Sequence, residues 1–340
     1  MIDLRSDTVT KPTDEMRRVM AAAEVDDDVL GYDPTVRRLE LRTADILGKD
    51  DALFVPSGTM ANQIAVKTHT VPGDEIILEA ESHIFWYEAG APAAISGVMC
   101  RCVRGERGVF TADDVRLAVR DDDVHFPRTS LVCVENTHNR GGGKVWPVEQ
   151  VAEVAAAARR ANLKLHLDGA RLWNAAVASG IAEADYARHF DSVAVCFSKG
   201  LGAPVGSAIA GDPDFIAKGR RFRKMFGGGM RQAGIIAAGA LYALEHNRHR
   251  LVEDHANAKR LAEGLAEIDG IEIDPATIET NLVYFRVRTM PAAELAMKLQ
   301  AEGILLLGGN GACRAVPNLM TSTKDIDTVL AAIARIMKNR

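Results

Sequence analysis

The sequence predicts an α/β protein: a mostly parallel sheet covered by helices on both faces, followed by a small α+β domain. Two observations carry that reading. Short apolar runs of strand length alternate with helical periodicity through most of the chain. Past a long small-residue helix ending near Asn247, the pattern becomes strand–helix–strand–helix over about 90 residues, the size of a second, smaller unit. No internal repeat or low-complexity linker interrupts the chain. The expected division is an N-terminal segment at 1–30 that packs with the small domain, a large domain at 31–247 and a small C-terminal domain at 248–340.

The elements follow in order. Asp14 to Ala23 reads as a helix, with Met16, Val19 and Met20 at helical spacing, and Thr35 to Leu47 repeats the pattern with Leu39, Leu41 and Ile46. ALFVPSG is a short strand ending in a turn, and TMANQIAVKTH is a helix opening out of it. DEIILEAE is a strand, and HIFWYEAGAPAAISG holds a helix broken near Pro92. TSLVCVENTHNRGGG is a strand with a long polar loop, and VEQVAEVAAAARRAN is a strong helix. LKLHLDGAR and FDSVAVCFSKG are two further strands. GGGMRQAGIIAAGALYALEHN supplies the small-residue helix and LVEDHANAKRLAEGLAEI a connecting one. IEIDPATIETNLVYFRV, PAAELAMKLQAEG, ILLLGGNGACRAVP and a helix from Lys324 complete the chain.

Of the 340 residues, 47% are apolar and 26% charged, the balance of a soluble globular protein. A net charge of −5 gives no electrostatic reason to expect nucleic acid or an anionic membrane as partner. No apolar run approaches the ~20 residues of a membrane span, and the N-terminus, with Asp3, Arg5 and Asp7, does not read as a signal peptide. Five cysteines, of which only Cys100 and Cys102 are close in sequence, point to free thiols in a reducing compartment, the cytoplasm by default. One Cys-x-Cys pair is no zinc site, and no metal is expected.

Several polar residues fall at the carboxyl ends of strands, where open α/β sheets bind ligands. Ser57-Gly58-Thr59 joins a strand to a helix start, whose free N–H groups suit a phosphate; taken alone, Ser57 is more often a plain helix cap. Asp168 ends the strand LKLHLD, where it is either a cap or a carboxylate able to keep a cationic ring nitrogen protonated. Lys199 follows the next apolar strand. Lysine belongs on surfaces unless its chemistry is used, and Schiff-base formation is such a use. A phosphate turn, an acid and a lysine in this order are what pyridoxal 5′-phosphate requires. The glycines after Lys199 are expected to let backbone pass close to a flat cofactor.

The chain resembles the low-specificity L-threonine aldolases, members of the aspartate-aminotransferase-like (fold type I) pyridoxal-phosphate enzymes. The likeness spans nearly its whole length and rests on DLRSDTVTKPT, GYDPTVRRLE, FVPSGTMANQIA, ESHIFWYEAG, ENTHNRGGGKVWP, LHLDGARLWNA, SVAVCFSKGLGAPVGS and FGGGMRQAG. It implies a large domain with a mostly parallel sheet of seven-stranded type and a homo-oligomer, with a dimer as the active unit and a tetramer as the assembly. It further implies reversible retro-aldol cleavage of L-β-hydroxy-α-amino acids (L-threonine, L-allo-threonine, phenylserine) to glycine and an aldehyde.

Residue by residue, the resemblance makes Lys199 the lysine that carries the cofactor covalently and Asp168 the partner of its ring nitrogen. It places Ser57, Gly58 and Thr59 on the phosphate, His83 against the ring face, and Arg171 near the phenolic oxygen and the substrate. Ser6 and Arg314 are expected to bind the substrate carboxylate, with Tyr32 and Tyr87 lining the pocket. Lys224 and Arg231 belong to a loop that approaches a neighbouring subunit's cofactor. The base for the β-hydroxyl is His83, His125 or a water they hold. The family's Arg-x-Val-x-His becomes Arg314-Ala315-Val316-Pro317-Asn318 here, so the role of that histidine is in question. Other fold type I enzymes (a β-eliminating lyase, an aminotransferase or a serine hydroxymethyltransferase-like enzyme) share the lysine and aspartate and are the competing reading. A non-enzymatic protein on this scaffold would lack one of the two, and a nicotinamide enzyme would need Gly-x-Gly-x-x-Gly after its first strand.

Overall fold

A computed structural model describes residues 1–309 and 311–338. The strands are β1 (Ile2–Asp3), β2 (Asp51–Val55), β3 (Glu75–Glu79), β4 (Met99–Val103), β5 (Thr129–Glu135), β6 (Lys164–Gly169), β7 (Ser192–Cys196), β8 (Ser207–Gly211), β9 (Ile271–Glu272), β10 (Val283–Val287), β11 (Ile304–Leu305), β12 (Leu307–Gly309) and β13 (Ala312–Ala315). Seven of them form the main sheet in the order β2-β8-β7-β6-β5-β3-β4. The five from β7 to β4 run parallel, whereas β8 is antiparallel to both of its neighbours. Every residue of β3, β5 and β7 is buried, which explains their continuous apolar runs, and the small-residue strand β8 is buried as well.

Helices on the two faces close separate cores. Leu39, Leu47, Trp146, Val154, Trp173 and Ala240 pack on one side, while Leu53, Ile64, Phe215 and Ile216 pack under the helix Gly58–His69 on the other. The C-terminal residues build the four-stranded antiparallel sheet β12-β13-β10-β9, whose core holds Leu261, Phe285, Leu299, Val329 and Ile333.

The N-terminal segment does not pack as one piece, contrary to expectation. Strand β1 pairs in parallel with β11 and Leu4 enters the C-terminal core, but Met16, on the helix Asp14–Ala21, is buried in the large core. An eight-residue amphipathic helix finds its apolar partners where the adjacent surface is apolar, and here that surface is the small-residue helix Gly234–His246.

Parallel strands put their carboxyl ends on one edge. The register sets Glu135 beside Asp168 and Asp168 beside Ala194, so the ends of β5, β6 and β7 are gathered together. The chain then leaves β7 through Phe197 and Lys199 and returns as β8. That loop is closed by Phe197 N–H to the Gly206 carbonyl at 3.0 Å and Gly202 N–H to the Lys199 carbonyl at 2.8 Å. Its glycines serve the protein's own packing. Gly202 has φ +80°, and a Cβ there would lie 2.4 Å from Leu319 Cδ2; Gly206 has φ +113°, and a Cβ there would lie 2.6 Å from the Phe54 ring.

Candidate active site

Three positively and negatively charged groups meet at the sheet's carboxyl edge. Asp168 is buried; its Oδ1 accepts from Ala170 N–H at 3.1 Å and its Oδ2 from Asn62 Nδ2 at 2.8 Å. Burial pushes its carboxyl up, but His83, Lys199 and the Asn62 hydrogen bond outweigh that and hold it below the ordinary carboxylate range. Lys199 is partly buried, and its charge favours the ionised forms of Asp168 and Asp7 alike. Thr10 Oγ1 donates to the Lys199 carbonyl at 3.3 Å and so ties the N-terminal turn to the lysine loop.

The turn after β2 sits on the end of β7, and a Cβ on Gly58 would come within 2.9 Å of Cys196 Sγ. Ser57 caps the twelve-residue helix Gly58–His69 by accepting from Met60 N–H at 3.2 Å. The N–H groups of Gly58 and Thr59 have no acceptor among the described residues. Two free amides at the positive end of a helix form a ready anion cradle beside a lysine and a buried carboxylate.

His83 opens the short helix His83–Trp86. Its backbone N–H donates to Glu135 Oε2 at 2.7 Å, and its Nδ1 lies 2.9 Å from Glu88 Oε1. Burial works against the charged ring, but Glu88 and Asp168 prevail and raise its pKa above the usual histidine value. Ligand atoms of His83, Glu88 and Asp168 lie within 4.8 Å of one another. That grouping is held by N–H donors, because Asn62 Nδ2 donates to Glu88 Oε1 at 2.7 Å as well as to Asp168. It is a hydrogen-bonded cluster in composition rather than a set of free ligands.

The chain as a whole is similar to known proteins. A family model described as beta-eliminating lyase matches residues 3–288. The chain belongs to the beta-eliminating lyase family. It is 46% identical over 344 residues to low-specificity L-threonine aldolase 1 of Arabidopsis thaliana, covering 99% of this chain and 96% of the relative. The low specificity L-threonine aldolase of Escherichia coli K12 is 42% identical over 332 residues, covering 97% and 98%. A solved threonine aldolase of Leishmania major superposes with a TM-score of 0.84 at 20% identity, covering 99% of this chain and all of the other, and so shares the fold. The resemblance to low-specificity L-threonine aldolases, seen first in the motifs, holds over the full chain.

Within this lyase-family fold, the remaining expected residues are distributed unevenly. Arg171 is buried, and its Nε and Nη2 each donate to an Asp7 oxygen at 2.8 Å. Two of its three nitrogens are therefore committed to Asp7, and only Nη1 lacks a partner among the described residues. Ser6 accepts from Thr8 N–H and Oγ1 at 3.2 and 2.9 Å and caps the turn that carries Asp7. Arg314, on β13, donates from Nη2 to the Arg5 carbonyl at 2.9 Å, while its buried Nε has no partner. It lines a cavity of about 500 Å³ with Tyr87, Arg140 and Tyr284. Asn318 is a structural tie, donating to the Asp3 and Val316 carbonyls at 3.1 and 3.0 Å.

Four expected residues make no hydrogen bond or ion pair with Lys199, Asp168 or His83 among the described residues. His125 precedes β5 on the opposite edge of the sheet, about 20 Å of strand from the site, with its ring exposed and bound to Asp123 at 2.6 Å. Tyr32 is 67% exposed. Arg231 pairs with Asp27 at 2.8 Å, and Lys224 lines a cavity of about 890 Å³ that includes none of Lys199, Asp168 or His83.

Sequence reasoning missed Asn62, Glu88, Asp7 and Asn281, whose Nδ2 donates to Asp7 Oδ2 at 3.3 Å. Asp7 stands inside the quoted SDTVT motif, and its position beside Ser6 was the available signal. Asn62 and Glu88 likewise stand inside the quoted FVPSGTMANQIA and ESHIFWYEAG motifs, but no spacing rule singles them out there.

Proposed function

We propose that this protein cleaves L-β-hydroxy-α-amino acids, L-threonine among them, to glycine and an aldehyde in a reversible retro-aldol reaction, using pyridoxal 5′-phosphate. The observation that carries the reading is the placement of Lys199 and the anionic Asp168 at the ends of neighbouring strands, in a chain that shares 46% of its residues with an L-threonine aldolase. The residues present fit the cofactor. The unpartnered amides of Gly58 and Thr59, with Ser57, suit its phosphate; Asp168 suits its ring nitrogen, Lys199 its covalent attachment and His83 its face. When bound, the cofactor supplies an electron sink for the pair released as the Cα–Cβ bond breaks.

The chain's own residues do the rest. Arg314, with Nε free, and Ser6, on the adjoining turn, fix the substrate carboxylate, joined by the one open nitrogen of Arg171. His83 donates Nδ1–H to Glu88, which leaves Nε2 to accept the β-hydroxyl proton directly or through a water. Tyr87, whose ring centre is 5.5 Å from that of His83, borders the aldehyde side.

The active unit is a homodimer, assembled further to a tetramer. In that assembly Lys224 and Arg231, neither of which bonds to Lys199, Asp168 or His83 of its own chain, approach the cofactor of a neighbouring copy. Among the described residues no helix is long and apolar enough to cross a membrane, and five free cysteines suit the reducing cytoplasm. Incubation of the holoenzyme with L-threonine, L-allo-threonine and phenylserine is expected to release glycine and the matching aldehyde. Ammonia and the matching 2-oxo acid in their place (2-oxobutanoate from the threonines, phenylpyruvate from phenylserine) would overturn the reading.

A further inference from the structure

Beneath the site runs a line of buried polar side chains that the proposed reaction does not employ. Asn62, His166 and Ser192 are 2%, 0% and 0% exposed, set among the apolar residues under the helix Gly58–His69. Buried polar groups are retained where every one is satisfied, and here the satisfaction has a direction.

Asn62 commits both hydrogens of Nδ2, one to Asp168 Oδ2 at 2.8 Å and the other to Glu88 Oε1 at 2.7 Å. The reversed amide would set its oxygen against two carboxylates, so the orientation is fixed. Its Oδ1 is then an acceptor, 3.0 Å from His166 Nε2, which must carry a hydrogen. A neutral imidazole has one N–H, so His166 Nδ1 is bare and accepts from Ser192 Oγ at 2.9 Å. That hydroxyl has only one proton, so its 2.9 Å contact with His69 Nε2 is received from the histidine. Burial holds His166 near 4 and His69 near 3, which agrees with two neutral rings. Every hydrogen bond from His69 through Ser192, His166 and Asn62 therefore points at Asp168 and Glu88. Glu88 Oε1 is also the atom that faces His83 Nδ1, at 2.9 Å.

We propose that Asn62 is a positioning residue that locks Asp168 and the His83–Glu88 pair into one unit, and that His166, Ser192 and His69 form a one-way relay of hydrogen bonds that sets its orientation. The proposal rests on the reading of Asp168 and His83 as the groups that face the cofactor. A relay of neutral donors aimed at two carboxylates adds no charge, yet it keeps both from turning or taking up a proton as substrate enters and leaves.

Neutron diffraction from deuterium-exchanged crystals of the holoenzyme tests the relay directly. Deuterium is expected on Nε2 of both His166 and His69, with none on His166 Nδ1 and the Ser192 deuteron directed at that nitrogen. Deuterium on His166 Nδ1, or a reversed Asn62 amide, would overturn it. Paired variants test the role. His166→Leu removes the partner of Asn62 Oδ1 and should lower kcat about 10- to 100-fold, with KM for L-threonine changed less than about threefold. His166→Gln keeps an N–H at the Nε2 position and should recover most of the loss. Equal kcat in the Leu and Gln variants, or a loss confined to thermal stability, would reduce the relay to scaffold. Failure of the wild-type enzyme to release glycine is a separate result: it would remove the functional reading while leaving the proton positions measurable.

Discussion

Asp7 grips Arg171 through two parallel hydrogen bonds of 2.8 Å, between an N-terminal turn and the residue that follows the strand bearing Asp168. Both side chains are buried, and Asn281 from the C-terminal part of the chain donates to the same carboxylate at 3.3 Å. Burial alone would raise the Asp7 carboxyl; Arg171 and Lys199 bring it down to about 2. The N-terminal turn is therefore part of the wall of the site, joined to the sheet edge by this ion pair and by the Thr10–Lys199 hydrogen bond.

Removing one partner of such a pair strands a charge in the interior. Asp7→Ala should destabilise the protein by about 3–5 kcal/mol in denaturant titration, whereas Asp7→Asn, which still accepts one hydrogen bond, should lose less. Equal stability of the two variants would show that the ion pair does not carry the attachment.

His83 must be neutral to accept a proton, and Glu88 and Asp168 favour its charged form. The acid limb of kcat/KM for L-threonine should then lie above the ordinary histidine value of about 6.5. Glu88→Gln removes the hydrogen-bonding carboxylate and should shift the limb to lower pH. A limb that stays in place would transfer the base role from His83 to another group.

Arg314 keeps its Nε unpartnered among the described residues, whereas Asp7 holds both Nε and Nη2 of Arg171. Arg314→Leu should raise KM for L-threonine about 10- to 100-fold while the visible absorbance of the bound cofactor is unchanged. A normal KM would exclude Arg314 from the substrate subsite.

Asp254 is fully buried, and neither of its oxygens has a hydrogen-bond partner. Burial pushes it up to about 7, against a weak pull from Arg250 at 3.9 Å. Its folded pKa is above its unfolded one, so the stability linked to it is complete below about pH 4 and is lost as pH rises to about 7. Asp254→Asn should melt near the wild-type temperature at pH 4 but be more stable at pH 8, by an amount on the order of 1–4 kcal/mol. Parallel melting curves at both pH values would refute this.

The alternation of strands and helices was legible because parallel strands buried on both faces leave unbroken apolar runs. Two strands gave no such signal: β4, Met99–Val103, alternates Met-Cys-Arg-Cys-Val at the sheet edge, and β8, Ser207–Gly211, is built of small residues. The site was legible where a chemical requirement fixes a residue type at a strand end, as with Lys199, Asp168 and the Ser57-Gly58-Thr59 turn. It was not legible where the fold alone unites distant positions. Asn62, Glu88 and Asp168 share one hydrogen-bonded group across more than a hundred residues of chain, and no local pattern announces it. The packing role of the glycines after Lys199 was hidden for the same reason, since the side chains they admit, Leu319 and Phe54, come from remote parts of the sequence.

The central claim is that Lys199 carries the cofactor. Borohydride reduction of the holoenzyme followed by peptide mass mapping tests it most directly. The account predicts a single stable cofactor adduct on the peptide containing Lys199, absent from Lys199→Ala. An adduct on another lysine, or an unchanged cofactor spectrum in Lys199→Ala, would contradict it.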